Sequence, residues 1–184
     1  MTDDLKKPNR DFSLLNPMFS KAVQSGIDFW NKNNPKFPAA VFEGFRSFER
    51  QDYLYSVGRT IPGTPCRHGG VVREIHYCAD HPLGLTVTNA PAGMSWHNYG
   101  MACDIVFDSD PVKPNTQWSW DGKLPWLNLG KEFESRGLEW AGGWRTFKEF
   151  PHFQKTYGLK ITDALELRRT GGIPAVWGAI IVKT

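Results

Sequence analysis

The chain has 184 residues, of which 40% are hydrophobic and 22% are charged. This composition is typical of a globular protein and excludes an intrinsically disordered one, and the length predicts a single domain over residues 1–184. The formal net charge of +3 is too small to predict a nucleic-acid partner. No apolar run reaches the length of about 18 residues that a membrane helix needs, and three cysteines cannot all pair in a disulfide scaffold.

The first quarter of the chain predicts two helices and a strand. Asn16 can cap a first helix that has Pro17 in its first turn and ends before Pro35. An apolar stripe at helical spacing supports this helix: Phe19, Ala22, Val23, Ile27 and Trp30. Residues 39–45 predict a strand, and Ser47 predicts the cap of a second helix that ends before Gly58.

The rest of the chain predicts short strands and two further helices. The strands are expected at residues 71–77, 85–88, 102–107, 138–141 and 152–154. A third helix over residues 127–136 ends at Gly137, and a fourth is capped by Thr162 and ends at Gly171 and Gly172. Because helices and strands are not in regular alternation, we expect an α+β fold with a small, mainly antiparallel sheet flanked by helices.

One carboxylate lies inside an apolar run. On a strand, the side chain of Asp104 shares a face with Ala102 and Val106, and a buried carboxylate without a partner costs on the order of several kcal/mol. A positive group should therefore face Asp104, and a metal ion and an arginine are the two candidates. His97 lies seven residues upstream, across a turn that Gly100 permits.

A second histidine follows an acid by three residues. Together with His97 and Asp104, His152 could form a three-ligand zinc site whose fourth position is open for water. Glu149 could then take a proton from that water. Taken singly, each histidine is more often an ordinary hydrogen-bonded residue, and Glu149 is more often a solvated charge. The residues alone therefore leave both interpretations open.

Three blocks of the sequence resemble the LAS (VanY-like) metallopeptidases, which cleave peptidoglycan stem peptides. Residues 95–104 follow the pattern Ser-x-His-x-x-Gly-x-Ala-x-Asp, and residues 149–152 follow the pattern acid-x-x-His. Residues 44–60 resemble the upstream block of this family. The segment from Thr88 into residues 95–100 is most similar to the branch of L-alanyl-D-glutamate endopeptidases and phage endolysins.

The resemblance implies a hedgehog/DD-peptidase-like fold and a role for each motif residue. It implies that the catalytic zinc is bound by His97, Asp104 and His152. It also implies that Glu149 is the general base and that Arg46 holds the substrate carbonyl and the developing oxyanion. Ser95 corresponds to a serine of the substrate pocket. A structural salt bridge is the alternative for Arg46, and a turn cap is the alternative for Ser95.

Residues 61–87 are expected to be an insertion relative to the endopeptidases that the chain resembles. The insertion contains several residues of metal-binding type: Cys66, His68, His76, Cys78 and His81. A second, structural zinc could be bound by Cys66, His68, Cys78 and His81. Alternatively, Cys66 and Cys78 form a disulfide, or the segment is a surface hairpin with free thiols.

Other prominent side chains have structural interpretations beside functional ones. Cys103 points away from Asp104 on a strand, so we expect a core residue rather than a nucleophile. The tryptophans at 118, 120 and 126 either stack on substrate or belong to the core. Trp140 and Trp144 are expected to shape the wall of the groove.

The sequence therefore predicts a zinc-dependent peptidase of peptidoglycan stem peptides, with the L-alanyl-D-glutamate bond preferred. A D-alanyl-D-alanine carboxypeptidase is the first alternative, and a catalytically silent cell-wall-binding module is the second. The start of the chain lacks the apolar core of a secretory signal. We accordingly expect a monomer that is made in the cytoplasm and acts on the cell wall after release, as in phage or prophage lysis.

Overall fold

The computed structural model describes Leu5 and residues 7–56, 87–108 and 117–181, with the backbone of two strands at 65–68 and 71–74. The helices of this part of the chain are α1 (Pro17–Asn33), α2 (Phe48–Ser56), α3 (Trp126–Glu134) and α4 (Ile161–Ile181). The strands are β1 (Ala39–Glu43), β2 (Pro65–His68), β3 (Val71–Glu74), β4 (Ala102–Asp108), β5 (Trp118–Ser119), β6 (Glu139–Trp140) and β7 (His152–Gln154). The same part of the chain has 3-10 turns at Phe12–Leu14, Trp96–Tyr99 and Ala141–Gly143.

The main sheet is antiparallel throughout. Its strand order is β1–β4–β7–β6, and β5 pairs with the end of β4. Strands β2 and β3 form a separate antiparallel pair. The expected α+β class with a small antiparallel sheet is confirmed. Among the helices described, none combines the length and the apolar character that crossing a membrane requires.

One face of the sheet covers the main hydrophobic core. Successive side chains of a strand point to opposite faces, and Cys103, Ile105 and Phe107 of β4 pack into the core with residues of α1 and α3. Phe153 of β7 belongs to the same core. Asp104 therefore lies on the other face of β4, which is the face that carries the polar site.

A second core cluster anchors the turn Trp96–Tyr99 against α4. Tyr99 is fully buried with Ala164 and Val176, and the indole Nε1 of Trp177 donates to the backbone oxygen of Tyr99 at 2.8 Å. Arg168 donates to the backbone oxygen of Asn98 at 3.0 Å. These contacts fix the turn that carries His97.

The first three helices begin and end close to where the sequence predicts. The side chain of Asn16 accepts hydrogen bonds from the backbone of Met18 and Phe19, and the Ser47 hydroxyl accepts one from the backbone of Arg50. Gly137, at φ +76°, follows the end of α3.

Three predictions about element boundaries were wrong. Helix α4 begins at Ile161, so Thr162 lies inside it and does not cap it. The helix is broken at Gly172 (φ +69°), as two glycines suggest, but a further helical stretch with Pro174 near its start continues to Ile181. A proline fits the first turn of that stretch because the missing N–H has no partner there. Residues 87 and 88 are not in a strand.

Candidate active site

His97 is held by two backbone contacts to the segment that follows β1. Its ring Nδ1 lies 2.7 Å from the carbonyl oxygen of Gly44, and its own carbonyl accepts from the backbone N–H of Arg46 at 3.0 Å. Because a carbonyl oxygen can only accept, Nδ1 carries the ring proton. In the neutral ring, the Nε2 atom of His97 therefore carries a lone pair and no proton.

Asp104 and His152 are direct neighbours across the β4–β7 pair. The ring Nε2 of His152 lies 3.0 Å from Gln154 Oε1, so that Nε2 donates and, in the neutral ring, Nδ1 carries the lone pair. The lone pair of His152 Nδ1 and a carboxylate oxygen of Asp104 thus lie on the same face of the sheet as His97 Nε2.

These three donor atoms form a nearly equilateral triangle. His97 Nε2 lies 3.2 Å from His152 Nδ1 and 3.4 Å from Asp104 Oδ1, and the third side measures 3.5 Å. Ligand atoms about 2.0–2.1 Å from a tetrahedral zinc ion are about 3.3–3.4 Å apart. Two imidazole nitrogens and a carboxylate oxygen at this spacing fit a zinc ion, and the hydrogen-bonded outer nitrogens of both histidines are typical of metal ligands.

The two oxygens of Asp104 face different partners. Its Oδ1 takes part in the donor triangle, whereas its Oδ2 accepts from Arg46 Nη2 at 3.1 Å. The same guanidinium donates to Glu43 through Nε and Nη2 and to Gln51 through Nη1. Four of its five N–H groups are thereby used.

A bulge in β1 brings Glu43 into this network. Ala39 and Val41 pair with core-facing residues of β4, but the register shifts between Val41 and Glu43, so that Glu43 pairs with Asp104. The bulge turns Glu43 away from the apolar face and toward the guanidinium of Arg46. Glu43 is 2% exposed, and Arg50 forms a second ion pair with it.

Glu149 lies in the loop before β7 and lines the same cavity as the donor triangle. Its backbone N–H approaches the carbonyl of Ala141 at 3.4 Å, and its carbonyl accepts from the backbone of His152 at 3.3 Å. Among the described residues, none forms a hydrogen bond or ion pair with its carboxylate. Glu149 is thus placed to exchange a proton with a molecule in the cavity.

Burial and neighbouring charges set the protonation of the site. Burial alone would raise the pKa of Asp104, but the two imidazoles and Arg46 hold it well below its usual range. Burial, helped by the positive charge of Arg46, lowers the pKa of His97. Burial opposes protonation of His152 too, but the interactions with Asp104 prevail and raise its pKa. Burial raises the pKa of Glu149.

The cavity around the donor triangle has a volume of about 610 Å³. Arg46, Ser95 and Trp144 line it together with the triangle and Glu149. The Ser95 hydroxyl makes no capping bond to the following turn. Phe147, 53% exposed and held at φ +54°, forms part of the rim.

The comparisons with known proteins agree with this geometry. Residues 88–155 match a family model described as D-alanyl-D-alanine carboxypeptidase. The chain is 33% identical over 129 residues to the peptidoglycan L-alanyl-D-glutamate endopeptidase CwlK of Bacillus subtilis (strain 168), a match that covers 66% of this chain. The segment that carries the site is similar to this family of peptidases over residues 88–155. The expected resemblance is thereby confirmed.

The matched segment, residues 88–155, contains every ligand candidate, Glu149 and Ser95, whereas Arg46 precedes it. The chain spans 62% of the length of the CwlK relative. The L-Ala D-Glu endopeptidase ChiX of Serratia marcescens is similar in structure with a TM-score of 0.47 and 20% identity, over 79% of this chain and 84% of that one.

The remaining sequence predictions have mixed outcomes. Cys103 is a fully buried core residue, as expected. The side chains of Cys66, His68, His76, Cys78 and His81 lie outside the described residues, so the second metal site and the disulfide stay predictions. Trp126 and Trp140 belong to the core rather than the groove wall. Trp118 and Trp120 pack against Phe42.

Sequence reasoning missed the polar residues around the candidate ligands. Glu43, Gln51 and Gln154 are all less than 8% exposed, and Glu139 contacts Gln154. The signal available for Glu43 was a carboxylate at an apolar position of an alternating strand. No comparable signal marks Gln51 and Gln154. Their hydrogen bonds depend on which side chains face them in the folded protein.

Proposed function

We propose that this chain is a zinc-dependent peptidase that hydrolyses peptidoglycan stem peptides between L-alanine and D-glutamate. The observation that carries the proposal is the triangle of two imidazole nitrogens and a carboxylate oxygen, 3.2–3.5 Å apart, in one cavity with Glu149. The choice of bond is supported by the 33% identity to CwlK, which is described as a peptidoglycan L-alanyl-D-glutamate endopeptidase.

In this proposal the zinc ligands are His97, Asp104 and His152. Zinc, when bound, supplies Lewis-acid polarisation of a carbonyl and lowers the pKa of water. Glu149 takes the proton of the attacking water and later passes it to the leaving amine. The raised pKa of Glu149, caused by burial, suits a group that must both accept and donate a proton.

Arg46 has two tasks in this proposal. Its ion pair with Oδ2 of Asp104 keeps Oδ1 in the donor triangle. Its remaining Nη1 N–H is assigned to the substrate carbonyl, where a fixed positive donor stabilises developing negative charge. We assign the Ser95 hydroxyl to the backbone of the substrate because it lines the cavity and makes no capping bond.

The second candidate function is a D-alanyl-D-alanine carboxypeptidase. The description of the matching family model favours it. That reaction needs a positive group for the C-terminal carboxylate of the substrate. The Arg46 guanidinium is largely committed to Glu43, Gln51 and Asp104, which makes it a poor carboxylate holder and places this function second.

A digest of purified peptidoglycan tests both functions. We expect new amino termini on D-glutamate in the mass spectra, no digestion with a chelator, and recovery when zinc is added. Release of free D-alanine would instead identify the carboxypeptidase. An intact wall in the presence of bound zinc would identify a silent wall-binding module.

Glu149→Gln is the matched variant for this digest. It keeps the size of the side chain and the three ligands, so zinc affinity should stay within about threefold of wild type. Loss of a general base lowers the rate by about 10²–10⁴-fold. A variant that binds zinc and digests the wall at the wild-type rate would exclude Glu149 as the base.

A further inference from the structure

The outer nitrogen of His152 is held by a side chain, whereas that of His97 is held by the backbone. His152 Nε2 donates to Gln154 Oε1 at 3.0 Å, within one strand and on one face. Both residues are buried, with 9% and 7% of their surfaces exposed. An amide can rotate by 180°, so its oxygen stays toward His152 only if a further contact fixes it.

That contact comes from the neighbouring strand. Glu139 lies directly opposite Gln154 in the β6–β7 pair, and its Oε2 accepts from Gln154 Nε2 at 2.9 Å. A carboxylate only accepts hydrogen bonds, so the amide nitrogen must face Glu139 and the amide oxygen must face His152. The other oxygen of Glu139 accepts from Trp144 Nε1 at 2.6 Å, which holds the carboxylate in place.

A reversed amide would change the chemistry of His152. Its NH2 group would face Nε2 and require a lone pair there, which moves the ring proton to Nδ1. The Nδ1 atom would then carry a proton at the vertex of the donor triangle, where a metal needs a lone pair.

We infer that Glu139 and Gln154 are positioning residues that fix the Nε2-protonated tautomer of His152 and so keep Nδ1 open for zinc. The role of this tautomer in zinc binding rests on the proposed function. The tautomer itself can be measured in the metal-free protein. Glu139 also accepts a hydrogen bond from Trp144, which lines the cavity. The same carboxylate therefore contacts both the cavity wall and the side chain that orients His152.

Three variants of the full chain test this inference. Q154L removes the acceptor of His152. E139Q offers one acceptor oxygen to two donors, Trp144 and Gln154, and permits the reversed amide. In the double variant E139Q/Q154E, the carboxylate introduced at position 154 accepts from His152 and from the amide introduced at position 139, so that every donor has an acceptor again.

The first readout is zinc affinity, measured in competition with a chromophoric chelator. Loss of an outer contact to a metal ligand weakens binding by about 10–100-fold. We expect a loss in this range for Q154L, about 10-fold for E139Q, and recovery to within about threefold of wild type in the double variant. E166Q makes the same chemical change in an exposed ion pair of α4 and should leave the affinity unchanged.

The second readout needs no metal. Nitrogen-15 NMR of the imidazoles at pH 8, assigned with a His152 variant among the five histidines, should show Nε2–H in the wild type and a gain of Nδ1–H in E139Q. Unchanged tautomer and zinc affinity in E139Q and Q154L would overturn the inference. Wild-type protein that shows the expected tautomer but binds no zinc would instead overturn the proposed function.

Discussion

Replacing Gly100 with alanine should damage the fold and the site together. Gly100 ends the turn that carries His97, and its backbone has φ +66° and ψ +27°, in the left-handed region. A Cβ at this position would lie 2.5 Å from the carbonyl oxygen of Leu14 and 3.1 Å from the Cα of Leu15. Both contacts are to backbone atoms, which cannot rotate away.

The expected loss of stability has two causes, the left-handed backbone conformation and the clash of the added Cβ. A residue with a Cβ pays about 1–2 kcal/mol in the left-handed region, and displacing packed atoms costs about 1–3 kcal/mol more. Restricting the unfolded chain returns about 0.4–1 kcal/mol. We therefore expect Gly100→Ala to lower the free energy of unfolding by about 3 kcal/mol, or Tm by about 6–12 °C.

Two other glycines separate the two penalties. Gly158 has φ +75°, and a Cβ added there would have no atom within 4 Å. Gly158→Ala therefore has the conformational cost without the clash, and it should lower the free energy of unfolding by about 1 kcal/mol. Gly122 has neither the unusual φ nor a near neighbour, so Gly122→Ala should be neutral to slightly stabilising.

Urea unfolding of the metal-free variants measures this series. A zinc titration of Gly100→Ala follows, because the backbone shift should move His97 and weaken zinc binding. If Gly100→Ala is no less stable than Gly158→Ala, the clash with Leu14 does not control the turn and the reasoning fails.

Three further predictions concern the metal, the guanidinium and the core thiol. Zinc at about 100 times its Kd should raise the free energy of unfolding by about 2.7 kcal/mol. His97→Ala should lose most of this gain. An equal gain in the wild type and the variant would contradict His97 as a ligand. Arg46→Gln should cost about 3 kcal/mol in urea unfolding because it removes the positive partner of the buried carboxylates of Glu43 and Asp104, and unchanged stability would contradict that network. Cys103→Ala should keep full peptidase activity at a cost of about 1 kcal/mol. Burial raises the pKa of the Cys103 thiol well above its usual value, so peptide mapping after alkylation of the native protein should find Cys103 unmodified, and rapid alkylation would contradict the core position.

Local sequence patterns were sufficient to predict where most helices begin and end and which side chains of a strand face the core. The start of α1 follows from Asn16 and Pro17, because a side-chain acceptor and a fixed φ act within one turn. The face of Asp104 follows from the two-residue period of a strand, which puts Cys103 into the core. Thr162 shows the limit of this reasoning, since a residue of capping type also fits inside a helix.

The site candidates were also readable in the sequence, but only as separate pieces. His97, Asp104, Glu149 and His152 stand in two motifs, and the family resemblance joined them. Nothing local requires His97 and His152, which are 55 residues apart, to approach within hydrogen-bond distance. Both partners proposed for Asp104, a metal and an arginine, have a place because its two oxygens face different ways.

Tertiary structure alone decided the surroundings of the ligands. The bulge that turns Glu43 toward Arg46 and the pairing of Glu139 with Gln154 depend on how β1 and β6 align with their neighbours. A helix cap or a strand face is set by atoms a few residues apart, and the sequence therefore determines it. Strand register is set by the packing of the whole sheet, so the hydrogen bonds that orient His152 exist only once the chain has folded.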